Sequence, residues 1–277
     1  MISQEDQNKQ IEYAWEKLHQ RLSQDGLLSK RATKKSMLQK SIMKWAAAII
    51  VLIICFTIVF ISTPPTDTTL LALHNKKGEP ALATTLEDGS IVLLDEKTSL
   101  YYPACFAKDK REVKIQGKAL FDISANALKP FIINTNLVTV EVVGTTFKIE
   151  CNNNTSFFLS VKNGEVKATL KENGQVVYIK AGESVSLSHS NLQKVASSFS
   201  SHTSNIQFKD ELLINVAKAI NLLSDSAKLS ISPNIANRRI TITMANNSIY
   251  TFAELICSAL DLSLSQKDST ISISSKN

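Results

Sequence analysis

Residues 81–94, ALATTLEDGSIVLL, decide the fold. Two apolar runs, 81–86 and 91–94, flank Asp88-Gly89. An Asp-Gly pair readily adopts the positive-φ conformations that join antiparallel strands tightly, so the stretch predicts a β-hairpin. Downstream, Val113, Ile115, Ala119, Phe121 and Ile123 alternate with polar residues, as do Val138, Val140 and Val142, and then Val166, Ala168 and Leu170. Successive side chains of a strand point to opposite faces, so alternation predicts strands with one wet face. Asn163-Gly164 and Asn173-Gly174 read as further turns, and Ala181-Gly182-Glu183 ends another strand. So many short strands predict an all-β jelly roll or sandwich over residues 80–195.

Beyond the Ser-rich connection at 197–204 the period changes. Leu212, Leu213, Val216, Ala217, Ile220 and Leu223 follow helical spacing, and so do Phe252, Leu255, Ile256, Ala259 and Leu260. Strand-like runs at 229–232, 240–244 and 270–274 accompany them. Residues 205–277 therefore predict a small α/β domain of βαβ type, built from two strand-and-helix halves. The Ser-rich boundary suggests that ending the chain near Ser204 leaves the β domain folded.

Upstream, residues 45–63 (WAAAIIVLIICFTIVFIST) carry no charge, and Pro64-Pro65 opens a linker at 64–79. A helix rises about 1.5 Å per residue, so such a run just covers a hydrocarbon core of roughly 30 Å. It predicts one uncleaved transmembrane helix in a multidomain membrane protein. Residues 1–44 hold nine Lys or Arg against five Asp or Glu, which leaves only +2 of the net +6 for the remainder of the 277 residues. By the positive-inside rule the N-terminus is expected in the cytoplasm and the later domains outside, with the juxtamembrane lysines against the lipid bilayer. The charge is thus read as a topology signal. No nucleic-acid reader motif accompanies it, so direct nucleic-acid binding is not expected.

Residues 1–44 predict a short helical binding segment. Ile11, Ala14, Trp15, Leu18 and Leu22 recur at three- and four-residue steps and share one helix face, opposite Glu16, Lys17 and Gln20. About 40 residues bury such a stripe poorly on their own, so a partner is expected, with Ile11, Trp15, Leu18 and Leu22 as the contact; a small self-packed bundle or a stretch lying on the membrane is the alternative. Catalytic patterns are missing from the sequence: the histidines are isolated, and no H-E-x-x-H, G-x-S-x-G or phosphate-cradling glycine loop occurs. No metal and no cofactor are expected. Cys105, Cys151 and Cys257 are widely spaced, compatible with one disulfide or with free thiols.

Together these residues resemble the FecR family of transmembrane anti-sigma regulators. The motifs fall in order: Leu86-Glu87-Asp88-Gly89-Ser90-Ile91-Val92-Leu93, Ser99-Leu100-Tyr101-Tyr102-Pro103 with Phe106, and the run 111–121 from Arg111 to Phe121. Pro130-Phe131, Val142-Val143-Gly144-Thr145-Thr146-Phe147 and Gly164-Glu165-Val166 continue the series. Ala14-Trp15-Glu16-Lys17-Leu18 is similar to the cytoplasmic part of FecR-like proteins of the Bacteroidetes type. The tail from Ile206 is similar to the short N-terminal domain of secretins and TonB-dependent receptors. Asp95-Glu96-Lys97, Lys118 and Ala181 depart from the family pattern at turns and surface positions.

The resemblance implies a single-pass bacterial inner-membrane protein. Its cytoplasmic segment would bind an extracytoplasmic-function (ECF) sigma factor, and its periplasmic part would sense the signalling domain of a TonB-dependent outer-membrane receptor. A structural or scaffolding protein of the cell envelope is the alternative. The protein is not expected to be an enzyme. The one exception considered is self-processing at Gly144-Thr145, where the hydroxyl would attack the preceding carbonyl; the competing account is that Gly144 merely permits a bend.

Overall fold

Residues 4–26, 70–152, 155–196, 199, 205–224, 227–245 and 248–276 are described by the computed structural model. They fall into two units, Met1–Asp67 and Thr68–Asn277. The first unit contributes helix α1 (Gln4–Gln24).

The second unit begins with thirteen strands: β1 (Leu70–Asn75), β2 (Ala81–Thr85), β3 (Ile91–Leu94), β4 (Thr98–Pro103), β5 (Arg111–Asp122), β6 (Phe131–Asn134), β7 (Val138–Val142), β8 (Thr146–Asn152), β9 (Ser156–Asn163), β10 (Glu165–Leu170), β11 (Val176–Lys180), β12 (Ser184–Ser188) and β13 (Asn191–Val195). It continues with β14 (Asn205–Leu212), α2 (Leu213–Leu223), β15 (Lys228–Ile231), β16 (Arg239–Ala245), α3 (Ile249–Leu260), β17 (Leu262–Lys267) and β18 (Thr270–Ser275).

Strand β5 organises the sandwich because it belongs to both layers. Its first half pairs with β4 and β6, within the order β1-β4-β5-β6-β7-β10-β11. Its second half pairs with β3 and β8, within the order β16-β14-β2-β3-β5-β8-β9-β12-β13. Gly117 sits at the change of sheet with φ +117°, and a Cβ there would lie 2.7 Å from Thr98 Cα. Only glycine fits that conformation and that approach. Thr98 secures the corner, since its buried Oγ1 accepts from Lys118 N at 3.0 Å.

The expected hairpin at 81–94 forms, with β2 and β3 antiparallel around the Asp88-Gly89 turn. Asn173-Gly174 likewise joins the paired strands β10 and β11. Asn163-Gly164 and 181–183 play another part, carrying the chain across from one sheet to the other. Between the sheets lies a core in which Phe121 stacks on Phe147 at 5.5 Å, surrounded by Val92, Leu94, Leu100 and Ile133.

The second sheet is covered on its other face as well. All four residues of β3 are buried: Val92 and Leu94 point into the sandwich, while Ile91 and Leu93 join Ala83 and Leu120 in a second core with α2 and α3. This double burial explains why 91–94 reads as a continuous apolar run. Strand β14 runs parallel to β2 in the same sheet. After a bulge between Phe208 and Glu211, the Glu211 carboxylate extends the junction by accepting from Thr85 N at 3.0 Å and Thr85 Oγ1 at 3.2 Å. The β15-β18-β17 sheet contributes Leu229, Ile271 and Ile273 to the same second core.

The expectation of a membrane protein with one transmembrane helix is corrected. No helix among the described residues is long and apolar enough to cross a membrane. Helix α1 has 21 residues but bears Glu5, Asp6, Lys9, Glu12, Glu16, Lys17 and Arg21, while α2 and α3 have only 11 and 12 residues. A span needs about 20 predominantly apolar residues. The run at 45–63 lies outside the described residues. The single-pass inner-membrane topology is therefore unsupported, and β-sheet with three helices is the described architecture.

Candidate functional site

Helix α1 brings four of the anticipated residues onto one face. Ile11, Trp15, Leu18 and Leu22 follow steps of four, three and four, which return to the same side of a 3.6-residue helix. Ile11 is 56% exposed, Trp15 60% and Leu18 46%, with Leu22 half-buried. The reverse face carries Tyr13, whose ring lies 5.7 Å from Lys17 Nζ in a cation–π pair. A tryptophan displayed amid aliphatic neighbours is the side chain best suited to anchor an interface, because it buries a large rigid surface at little rotamer cost.

Gly144 and Thr145 occupy the bend between β7 and β8. A Cβ on Gly144 would stand 2.6 Å from Ala125 Cα, so the close approach of the 125 loop demands glycine. Thr145 is 4% exposed, and its Oγ1 is buried without a hydrogen-bond partner. Its carbonyl accepts from Ile123 N at 2.9 Å. A solvent-excluded hydroxyl left unpaired is costly and uncommon.

Beside this bend lies Arg111, which the sequence reading passed over except within a longer motif. The side chain is buried at the start of β5 and gathers three loops. Its Nη1 meets Asp88 Oδ2 at 2.6 Å and donates to Ser124 O at 2.8 Å. Its Nε donates to Lys129 O at 2.8 Å, and Nη2 to Val143 O at 3.4 Å. The guanidinium also lies 5.3 Å from the Phe131 ring centroid. Asp88, expected as part of the hairpin turn, therefore also ion-pairs with the buried Arg111, and it accepts from Ser90 Oγ at 2.7 Å. One signal was available: Arg111 shares inward parity with Val113 and Ile115.

Among the described residues the C-terminal layer has three edge strands, β15, β16 and β17. Strand β16 pairs with β14 alone, whereas β18 is central between β15 and β17. Residues 240–245 carry no charge that would discourage further pairing. Cys105, Cys151 and Cys257 are free thiols, with Cys105 exposed and the other two buried. Burial pushes the Cys151 and Cys257 thiols above their ordinary pKa. No group of three or more His, Cys, Asp or Glu suited to a metal occurs among the described residues.

The Arg111–Asp88 pair and the Gly144-Thr145 bend both lie within one stretch that matches a known family. Residues 78–167 match the FecR protein family. The FecR match covers β2 through β9 and ends inside β10, so it includes the corner at Gly117 and the Phe121–Phe147 core. Two crystal structures of a "putative anti-sigma factor" from Parabacteroides distasonis resemble the chain. One shares 21% identity with a TM-score of 0.45, covering 75% of this chain and 100% of its own. The other shares 22% identity with a TM-score of 0.46 over the same proportions. No curated protein matches the chain.

Proposed function

We propose that this chain is an anti-sigma regulator in which helix α1 holds an ECF sigma factor. The FecR match at 78–167, in the same chain as an exposed Trp-centred helical stripe, carries the reading. A binder with that stripe needs no catalytic centre. Co-purification tests it: the full chain retains an ECF sigma factor from its own cell, and retention is lost when Trp15 is replaced by alanine. Equal retention by both proteins rejects the α1 contact. Absence of any sigma factor favours a structural or scaffolding role.

The signal input is assigned to the signalling domain of a TonB-dependent receptor docking on the C-terminal layer. The uncharged free edge of β16 supports this reading, since an unpaired strand offers backbone donors and acceptors to an added strand.

A second reading concerns self-processing, and the unpartnered Thr145 hydroxyl favours it. In this reading Oγ1 attacks the Gly144 carbonyl carbon, the peptide C–N bond breaks, and the hydroxyl proton passes to the released amine, leaving an ester. Water then cleaves the ester, giving a carboxylate on Gly144 and restoring the threonine hydroxyl. Mass spectrometry of purified protein decides it: fragments meeting at Gly144 and Thr145, lost in Thr145→Val, support cleavage, and an intact chain after prolonged incubation rejects it.

A further inference from the structure

Strand β1 starts beside a cavity of about 370 Å³ shared with β4, β5 and the loop after β4. That volume lies near the small end of the roughly 300–1,000 Å³ range of small-molecule sites. Its apolar walls are Leu70, Tyr101, Pro103 and Ala107. The Tyr101 ring is held in place, since His74 meets it edge-on at 5.6 Å and His74 Nδ1 is 2.8 Å from Ser99 Oγ. A flat wall fixed in this way costs little further order when an aromatic ring settles on it.

The polar rim sets the charge of the occupant. Glu112 is engaged by Lys110 Nζ at 2.5 Å and Asn134 Nδ2 at 2.7 Å, and Asn134 Oδ1 accepts from Thr139 Oγ1 at 3.3 Å. Lys110 and Glu112 cancel in charge. Lys114 lines the same cavity, placed in register between Tyr101 and Asn134, and has no ion-pair partner among the described residues. The rim therefore has one uncompensated ammonium over an apolar floor, an arrangement that favours a carboxylate with an apolar body.

We propose that this cavity binds a small aromatic carboxylate, its ring against Tyr101 and Pro103 and its carboxylate on Lys114. Cys105 supplies a reporter, because it lines the cavity and is exposed, whereas Cys151 and Cys257 are buried. The full chain is alkylated with N-ethylmaleimide in the presence of 2-naphthoate or its neutral analogue 2-naphthamide, and modification of Cys105 is followed by peptide mapping. The expected result is a slowing of at least fivefold by naphthoate and little effect of naphthamide. Lys114→Met removes the protection by losing the charge. Ala107→Trp, at an exposed position on the cavity wall, removes it by filling the space. Equal protection by the two compounds, protection surviving either substitution, or no protection by naphthoate overturns the proposal.

Discussion

Arg111 shows at the residue scale how one charge can organise three loops. Its guanidinium is buried, ion-paired to Asp88, and bound to the carbonyls of Ser124, Lys129 and Val143. Removing one partner of a buried pair costs about 3–5 kcal/mol, because the other charge is left uncompensated. Arg111→Met should therefore lower the melting temperature by about 6 °C or more, given roughly 2–4 °C per kcal/mol at this size; calorimetry measures it. Thr145→Val has the opposite sign. It removes a buried hydroxyl without a partner while preserving shape, so stability should be unchanged or rise by about 1 kcal/mol. A clear loss of stability in denaturant unfolding would mean that the hydroxyl is satisfied. At the surface, Lys118 Nζ lies 3.5 Å from Asp95 Oδ2 and 3.4 Å from Glu150 Oε1.

The element scale separates α1 from the strands. Its apolar stripe is exposed, so the cost of losing Trp15 should appear in binding and not in folding. Truncating an interface anchor commonly costs about 2 kcal/mol or more, so Trp15→Ala should weaken sigma-factor affinity at least about tenfold. Helicity by circular dichroism should stay unchanged. For strand β16 the argument rests on its free edge. Thr243 and Ala245 are exposed there, and charges on an edge oppose strand addition. The double variant Thr243→Lys with Ala245→Lys should weaken binding of the receptor signalling domain about tenfold in a titration, with the melting temperature preserved. Unchanged affinity would move the contact away from this edge.

For the molecule from β1 to β18 the decisive feature is a sheet covered on both faces. Ending the chain near Ser204 looks harmless in the sequence, because a Ser-rich stretch resembles a linker. The structure gives a different expectation. Ile91, Leu93 and Leu120 would lose the cover of α2 and α3, and β2 would lose β14 along one side. Each fully buried aliphatic side chain contributes about 1.5–3 kcal/mol, so exposing three costs on the order of 5 kcal/mol. The truncated protein should melt earlier and self-associate in size-exclusion chromatography. A monomer with unchanged melting would show that the two cores are independent.

The sequence by itself determined what depends on local spacing. The alternation at 113–123, the Asp88-Gly89 hairpin, the helical periods at 212–223 and 252–260 and the α1 stripe all follow from the repeat of strand or helix, and the ordered motifs carried the FecR resemblance. Tertiary structure decided what depends on neighbours distant in the chain. It made β5 a member of two sheets, turned Asn163-Gly164 into a crossing between them, and buried both faces of β3. Arg111 and Asp88 are 23 residues apart, and Thr85 and Glu211 126 apart, so no local period could announce either pair. Local backbone preference is written in adjacent residues, whereas burial and charge pairing exist only once separate segments pack together.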